Sequence, residues 1–205
     1  MALPGGAGGA KAGSNGLVAL IVIGVLVGVA FLIPGGEEDA FEPMSSPARP
    51  VKLIVPSLDL RATVLPIEVN QDNVLDPPSD VSEVGWWKRS VRPGAESGQT
   101  VLTGHTVHTG GGVMDRLGTL EPGNAVRVET ANGTMVYRTT KVITLTKAQL
   151  AKRSTALFGQ ERASNRLVLV TCTGWTGKDY TSNIIVFAEP LGVRTKKDES
   201  EKSAA

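Results

Sequence analysis

Short runs of β-branched and apolar residues, each bounded by turn residues, recur along most of the chain and limit the folds open to it. The runs lie at 51–55, 62–69, 100–106, 125–130, 134–145, 166–172 and 183–188. Runs of this length with turn signals between them are typical of antiparallel all-β barrels and sandwiches. Asn132 and Gly133 stand between two of the runs and predict a hairpin turn. The chain is therefore predicted to be all-β.

Helix is expected only in short pieces within a single domain. Residues 113–120 and 146–152 can each form a turn or two, with Thr146 as the N-cap of the second. The stretch 51–193 has the usual length of one domain and can bury a sizeable core. The formal net charge is +1 and the basic residues are scattered, so no nucleic-acid groove is predicted.

The two ends of the chain predict a membrane protein. Residues 17–33 carry no charged side chain, so we place a transmembrane anchor at 17–34. A cleaved signal peptide is the alternative, with 28–30 as its cleavage site. Positive charge precedes this segment and acidic residues follow it, which predicts a cytoplasmic tail at 1–16 and an extracellular linker at 35–50. The predicted location is the cell membrane, with a single pass, the folded domain outside and a solvated charged tail at 194–205.

Cys172 is the only cysteine in the chain, so an internal disulfide is excluded. Intermolecular pairing, an inert buried thiol and a reactive nucleophile remain as interpretations. Cys172 ends one apolar run and His105 lies at the end of another, where loops leave side chains exposed on a rigid frame. A thiol beside an imidazole is the minimal apparatus for acyl transfer through a thioester. Nothing in the order of residues shows that the two groups meet.

Six short motifs occur in the chain in an order that resembles the sortases, and class F sortases most closely. They are IVPS at 54–57, VGWW at 84–87, VLTGH at 101–105, RLGTLEPG at 116–123, VLVTC at 168–172 and NIIVFA at 183–188. The resemblance implies an eight-stranded β-barrel with Cys172 as nucleophile and His105 as general acid and base. It further implies cleavage of an LPXTG-like C-terminal sorting signal, between Thr and Gly, on secreted proteins. A peptidoglycan precursor amine would then accept the cleaved protein.

One departure from the sortase pattern concerns an arginine that steadies the oxyanion or positions the substrate. The resemblance puts Thr181 in its place, and no arginine occurs between Cys172 and Arg194. Loss of one oxyanion donor typically costs about 2.7 to 4 kcal/mol. Candidate substitutes are Lys178, the Thr181 hydroxyl, backbone amides after Cys172, Arg116 and Arg138. A sortase-like binding module with weak or no turnover is therefore an alternative function, and an unrelated β-barrel with an inert thiol is a third.

The residues around the cysteine complete the predicted site. Thr171, Trp175 and Thr181 are expected to line a substrate groove. No metal or other cofactor is predicted, because His105, His108 and Cys172 lack a fourth ligand at suitable spacing. The glycines at 110–112 lack the lysine of a phosphate-binding loop and predict a mobile turn.

Overall fold

The computed structural model describes residues 40–72 and 74–194, and each predicted run contains a strand, although β9 extends well beyond its predicted run. The strands are β1 Phe41–Glu42, β2 Pro50–Val55, β3 Leu60–Ile67, β4 Val84–Trp87, β5 Gln99–Gly104, β6 Ala125–Thr130, β7 Gly133–Thr146, β8 Arg166–Trp175 and β9 Tyr180–Arg194. One α-helix, α1, spans Lys147–Phe158, and short 3₁₀ turns lie at Pro56–Leu58 and Leu117–Thr119.

Eight of the strands close into a barrel. The sheet order is β1-β9-β7-β6-β2-β3-β4-β5-β8, and a further pairing of β8 with β9 completes the ring, with β1 added outside it on β9. The predicted all-β, eight-stranded barrel is confirmed. The antiparallel expectation is wrong for two pairs, because β3 runs parallel to β4 and β5 runs parallel to β8. Parallel neighbours need a long crossover connection, and residues 105–165 separate β5 from β8.

The hairpin and one helix were predicted from specific turn and cap residues, and both elements are present in the structure. Strands β6 and β7 form the predicted hairpin, but Thr130 pairs with Gly133, so the two turn residues are Ala131 and Asn132, one residue earlier than predicted. Thr146 caps α1 by accepting a hydrogen bond from the Gln149 amide, and the Gln149 side chain bonds the Thr146 amide in return. The other predicted helical stretch, 113–120, forms only the 3₁₀ turn Leu117–Thr119, where the Gly118 backbone lies against the Ile184 side chain. The short strands β1 and β4 were not predicted.

The barrel has apolar side chains on both faces of its central strands. Leu167 and Leu169 of β8 belong to the core inside the barrel. Val168 and Val170 belong to a second cluster outside it, which includes Leu157 of α1. Because successive side chains of a strand point to opposite faces, β8 forms the wall between the two cores.

Two predictions concern the ends of the chain. The predicted anchor at 17–34 lies outside the described residues, and in the part of the chain that the structure does describe no helix is long and apolar enough to cross a membrane. Part of the predicted linker belongs to the domain, since Phe41 and Glu42 pair with β9 and Met44 is buried in the barrel core. Strand β9 ends at Arg194, and residues 195–205 lie outside the described part.

Candidate active site

Parallel pairing of β5 with β8 brings the two predicted catalytic residues side by side. The register places Thr103 opposite Val170, and its continuation by two residues places His105 opposite Cys172. Adjacent strands lie about 4.8 Å apart, so the two side chains start from neighbouring positions. Sixty-six residues separate the pair in the chain, and only this crossover brings them together.

The two side chains also share a face of the barrel. Val101 of β5 and Val170 of β8 both lie in the outer cluster, so alternation along each strand directs His105 and Cys172 to the outer side as well. The Cys172 side chain is half-buried, neither sealed in the core nor fully exposed. A thiol in this position can be approached from solvent.

Thr171 ties the two strand ends together from the inner face. Its side chain is 1% exposed, its hydroxyl donates to the Gly104 carbonyl at 2.8 Å, and it lies 2.7 Å from the Thr106 hydroxyl. Since its single hydrogen goes to Gly104, Thr171 accepts from Thr106. Thr171 was predicted to line the groove, but the structure places it inside, where it holds the residues on both sides of His105 against β8.

The surroundings of His105 determine which nitrogen of its imidazole carries the hydrogen. Nε2 lies 2.8 Å from the carbonyl oxygen of Pro78, in the connection between β3 and β4. A carbonyl oxygen only accepts, so Nε2 carries the hydrogen and the lone pair is on Nδ1. Within the described residues the imidazole makes no hydrogen bond to the Cys172 sulfur. Catalytic hydrogen bonds are often long in a ligand-free enzyme and shorten when substrate binds.

The loop after His105 is held by a carboxylate that sequence analysis missed. Asp115 accepts from the Val107 amide at 2.7 Å and from the Gly112 amide at 3.0 Å. A Cβ atom at Gly112 would collide with the Asp115 carboxylate and with the carbonyl of His105, so only glycine fits there. Gly110 and Gly111 have positive φ angles of 90° and 95°. The three predicted turn glycines therefore serve a defined loop geometry.

The Cys172 sulfur has a hydrogen-bond donor on the neighbouring strand. Cys172 is paired with Asn183 of β9, and the Asn183 Nδ2 lies 3.8 Å from the sulfur. Burial raises the pKa of the Cys172 thiol above its ordinary value, and the Asp179 carboxylate acts in the same direction. The Lys147 ammonium and the Asn183 amide oppose this increase in the pKa of the thiol.

Thr181 lies on β9, two residues before Asn183, and its side chain is exposed. Its hydroxyl donates to the Gly174 carbonyl at 3.1 Å. Of the two arginines considered as substitutes, Arg116 has another partner and Arg138 lies far along the strand. Arg116 donates to the Leu58 carbonyl at 3.2 Å, while Arg138 is paired with Glu189, about 20 Å from Asn183 along an extended strand.

Aromatic side chains connect the two loops that flank the thiol. Trp175, at the end of β8, is 39% exposed. Its ring stacks on His108 with centroids 4.2 Å apart and planes at 8°, and it meets Tyr180 at 5.0 Å. His108 thus lies beside the site, where it packs on the tryptophan that was predicted to contact substrate. In the residues that the structure describes, no cluster of His, Cys, Asp and Glu is arranged to hold a metal ion.

Sequence reasoning identified the thiol and imidazole but missed Pro78, Asp115, Lys147 and Asn183. Asn183 was quoted as the first letter of a motif, and its pairing with the cysteine was not foreseen. The signal for it was its position on a run that follows the cysteine through a short hairpin, which makes a cross-strand neighbour expected.

Comparison with known proteins identifies the family to which the barrel belongs. A family model described as Sortase domain matches residues 53–191. Sortase A from Corynebacterium diphtheriae is similar at 15% identity and a TM-score of 0.56, over 76% of this chain and 66% of that one. Sortase C-3 from Streptococcus pneumoniae is similar at 16% identity and a TM-score of 0.56, over 82% of this chain and 77% of that one.

Sortase C-1 from Actinomyces oris is also similar, at 19% identity and a TM-score of 0.55, over 71% of this chain and 73% of that one. No curated protein matches the chain. At these identities the solved structures show the fold alone. The family model, however, covers well over half of the chain and starts and ends within the closed barrel. The chain therefore belongs to the sortase family.

Proposed function

We propose that this protein is a cysteine transpeptidase that cleaves an LPXTG-like sorting signal between Thr and Gly and transfers the cleaved protein to an amine. The observation that carries the proposal is the parallel register of β5 and β8, which places His105 and Cys172 next to each other on one face. Membership of the sortase family supports the same chemistry. In this reaction Cys172 is the nucleophile and His105 the general acid and base.

The proposed reaction has two acyl transfers. The Cys172 thiolate attacks the carbonyl carbon of the threonine in the signal, and the bond from that carbon to the glycine nitrogen breaks. The imidazolium of His105 gives its proton to the departing amine. An incoming amine then attacks the thioester and gives up a proton to the imidazole, and the Cys172 thiolate leaves. The new amide bond joins the substrate protein to the acceptor.

The proposed setting is the outer face of a cell membrane. The apolar segment at 17–34, with positive charge before it and acidic residues after it, supports an anchor that holds the domain outside. Secreted proteins with a C-terminal sorting signal are then the donors. A peptidoglycan precursor amine is the acceptor, which leaves the donor attached to the cell wall.

The test uses the purified full-length protein with peptides that contain candidate sorting signals, in the presence of candidate amines. Mass spectrometry of the products identifies the cleaved bond and the acceptor in one experiment. We expect a Thr–amine product with the wild-type protein and none with Cys172→Ala. His105→Ala should lower the rate by about 10²-fold or more, the usual contribution of general acid–base catalysis.

Equal slow cleavage by the wild type and both variants would refute the transpeptidase. Tight peptide binding without cleavage would instead identify a binding module. Because Cys172 is the only cysteine, a thiol-directed electrophile provides an independent check on its accessibility.

A further inference from the structure

A thiolate needs nearby donors or positive charge, and residues 173–193, which follow the cysteine, contain no arginine. The described structure shows two other groups on the same side of the barrel. They are Asn183, which is in contact with the sulfur, and Lys147, which lies one strand further away. Neither is among the substitutes that the sequence suggested.

Asn183 is the group in contact with the sulfur. It faces Cys172 across the β8–β9 ladder, and its Nδ2 donates to the Thr171 carbonyl at 3.3 Å and lies 3.8 Å from the sulfur. Both partners accept hydrogen bonds, since a carbonyl oxygen and a thiolate have no hydrogen to give. The amide nitrogen must therefore face them, and its two hydrogens match two acceptors. Asn183 is half-buried, where water competes less for this bond.

Lys147 is the second group, at the start of α1. The β7–β9 ladder ends with Thr146 opposite Ser182, and Lys147 follows directly as the first residue of α1, at the end of the ladder where Thr181 precedes Ser182. Lys147 therefore stands beside the position that the sortase pattern gives to arginine. Strand spacings put its backbone about 10 Å across the sheet from Cys172 and about 7 Å along it, a separation that a lysine side chain can shorten.

Two carboxylates act against this positive charge. Asp179, in the hairpin after Cys172, forms an ion pair with Lys147 at 3.3 Å, and the two side chains are 72% and 57% exposed. Asp76, in the connection before β4, also disfavours the charged form of Cys172. Further titratable groups on the elements around the sulfur are His105, His108, Lys178 and Tyr180. The electrostatic potential at the sulfur is therefore the sum of opposing contributions, and a single substitution can favour either the thiolate or the thiol.

We propose that Asn183 and Lys147 together stabilise the Cys172 thiolate: the Asn183 amide hydrogen-bonds the sulfur, and the Lys147 ammonium supplies positive charge beside Thr181, the position that the sortase pattern gives to arginine. The inference rests on the proposed function for the role of Cys172 as a nucleophile. Asn183 touches the reacting atom and is a catalytic residue. Lys147 is a positioning residue that acts through the local field, with Asp179 as its counter-ion.

The test measures the rate at which iodoacetamide alkylates the full-length protein as a function of pH, which needs no sorting signal. Cys172 is the only thiol, so the rate reports its ionisation alone. Lys147→Gln should slow alkylation at neutral pH by about two- to fivefold and move the profile to higher pH. Asp179→Asn should accelerate alkylation and move the profile to lower pH. Lys152→Gln, five residues further along the same exposed helix, is the charge-matched control and should change little.

Opposite effects of Lys147→Gln and Asp179→Asn separate this proposal from a structural role. If the ion pair only stabilised the hairpin, losing either partner would move the rate in the same direction, and that result would overturn the inference for Lys147. High salt should remove most of the Lys147 effect, since the charges are exposed.

Asn183→Ala should slow alkylation, and Asn183→Asp, which has the same shape but brings a negative charge, should slow it more. An unchanged profile in Asn183→Ala would overturn the role of the amide. If the alanine variant does not fold, Asn183→Leu, which keeps the size of the side chain and removes the donor without adding charge, decides the question. A wild-type protein that fails to cleave any sorting peptide but shows these shifts would refute the proposed function and leave the electrostatic inference standing.

Discussion

The two faces of strand β8 serve different purposes although their residues alternate along one chain segment. Side chains on the inner face are buried in the barrel, and those on the outer face pass from a buried cluster beneath α1 to the half-buried thiol. The inner residues are Leu167, Leu169 and Thr171, and the outer residues are Val168, Val170 and Cys172. The strand is thus anchored on one side and chemically available on the other.

This difference explains how a reactive group can be both held and reachable. The position of Cys172 is set by neighbours that never contact a substrate, through packing at Leu169 and hydrogen bonding at Thr171. Its reactivity is set on the other face, by Asn183 and by charges from neighbouring elements. Substitutions on the two faces should therefore separate stability from activity.

The largest expected effect is on the outer face. Cys172→Ala should abolish alkylation and peptide cleavage completely, while the free energy of unfolding should change by no more than about 1 kcal/mol, because the side chain is small and half-buried. Urea unfolding followed by circular dichroism, together with the peptide assay, measures both quantities. A large loss of stability would show that the thiol belongs to the core, and the outer face of β8 would then not differ from the inner face.

The inner face should give the reverse result. Leu169 is fully buried at 0% exposure, so Leu169→Ala should lower the free energy of unfolding by about 2 to 5 kcal/mol. Activity at low temperature should remain, because the folded fraction still carries both reactive groups. A Leu169→Ala protein that is stable but inactive would contradict the division between the faces.

Thr171→Val tests the bridge between the strand ends. The change keeps the shape and removes the hydroxyl that bonds Gly104 and Thr106, which should cost about 1 to 3 kcal/mol. Cleavage should fall as well, since the residues around His105 lose their attachment to β8. Thr173→Val, two residues along on the same face, is the control and should leave cleavage nearly unchanged.

The smallest effect is expected from restoring the missing arginine. Thr181→Arg should raise the rate of peptide cleavage by about tenfold or less, compared with the roughly 10²- to 10³-fold usually lost with one oxyanion donor. The gain should be larger when Lys147→Gln is also present. A 10³-fold gain in the otherwise wild-type protein would show that Asn183 and Lys147 provide no substitute.

How much of the site could be predicted depends on how far apart in the chain the contacting residues lie. In the structure Cys172 lies within β8, three residues before its end, and His105 directly follows β5. Both were predicted as candidate catalytic residues, because runs and turns are visible in a few consecutive letters. The parallel pairing of β5 and β8 was not, because it depends on a crossover of about sixty residues. Asn183 and Lys147 escaped notice for the same reason, since each approaches the sulfur only through a specific ladder register.

Local chemistry in the chain is sufficient for the all-β class, the Thr146 cap, the presence of the β6–β7 hairpin and the identity of the single thiol. Tertiary pairing decided which side chains share a face with that thiol, and it put Thr171 inside the barrel and Asn183 beside the sulfur. The physical reason is the period of the strand. A shift of one residue in register turns every side chain to the other face, and register is established by contacts between strands far apart in the chain.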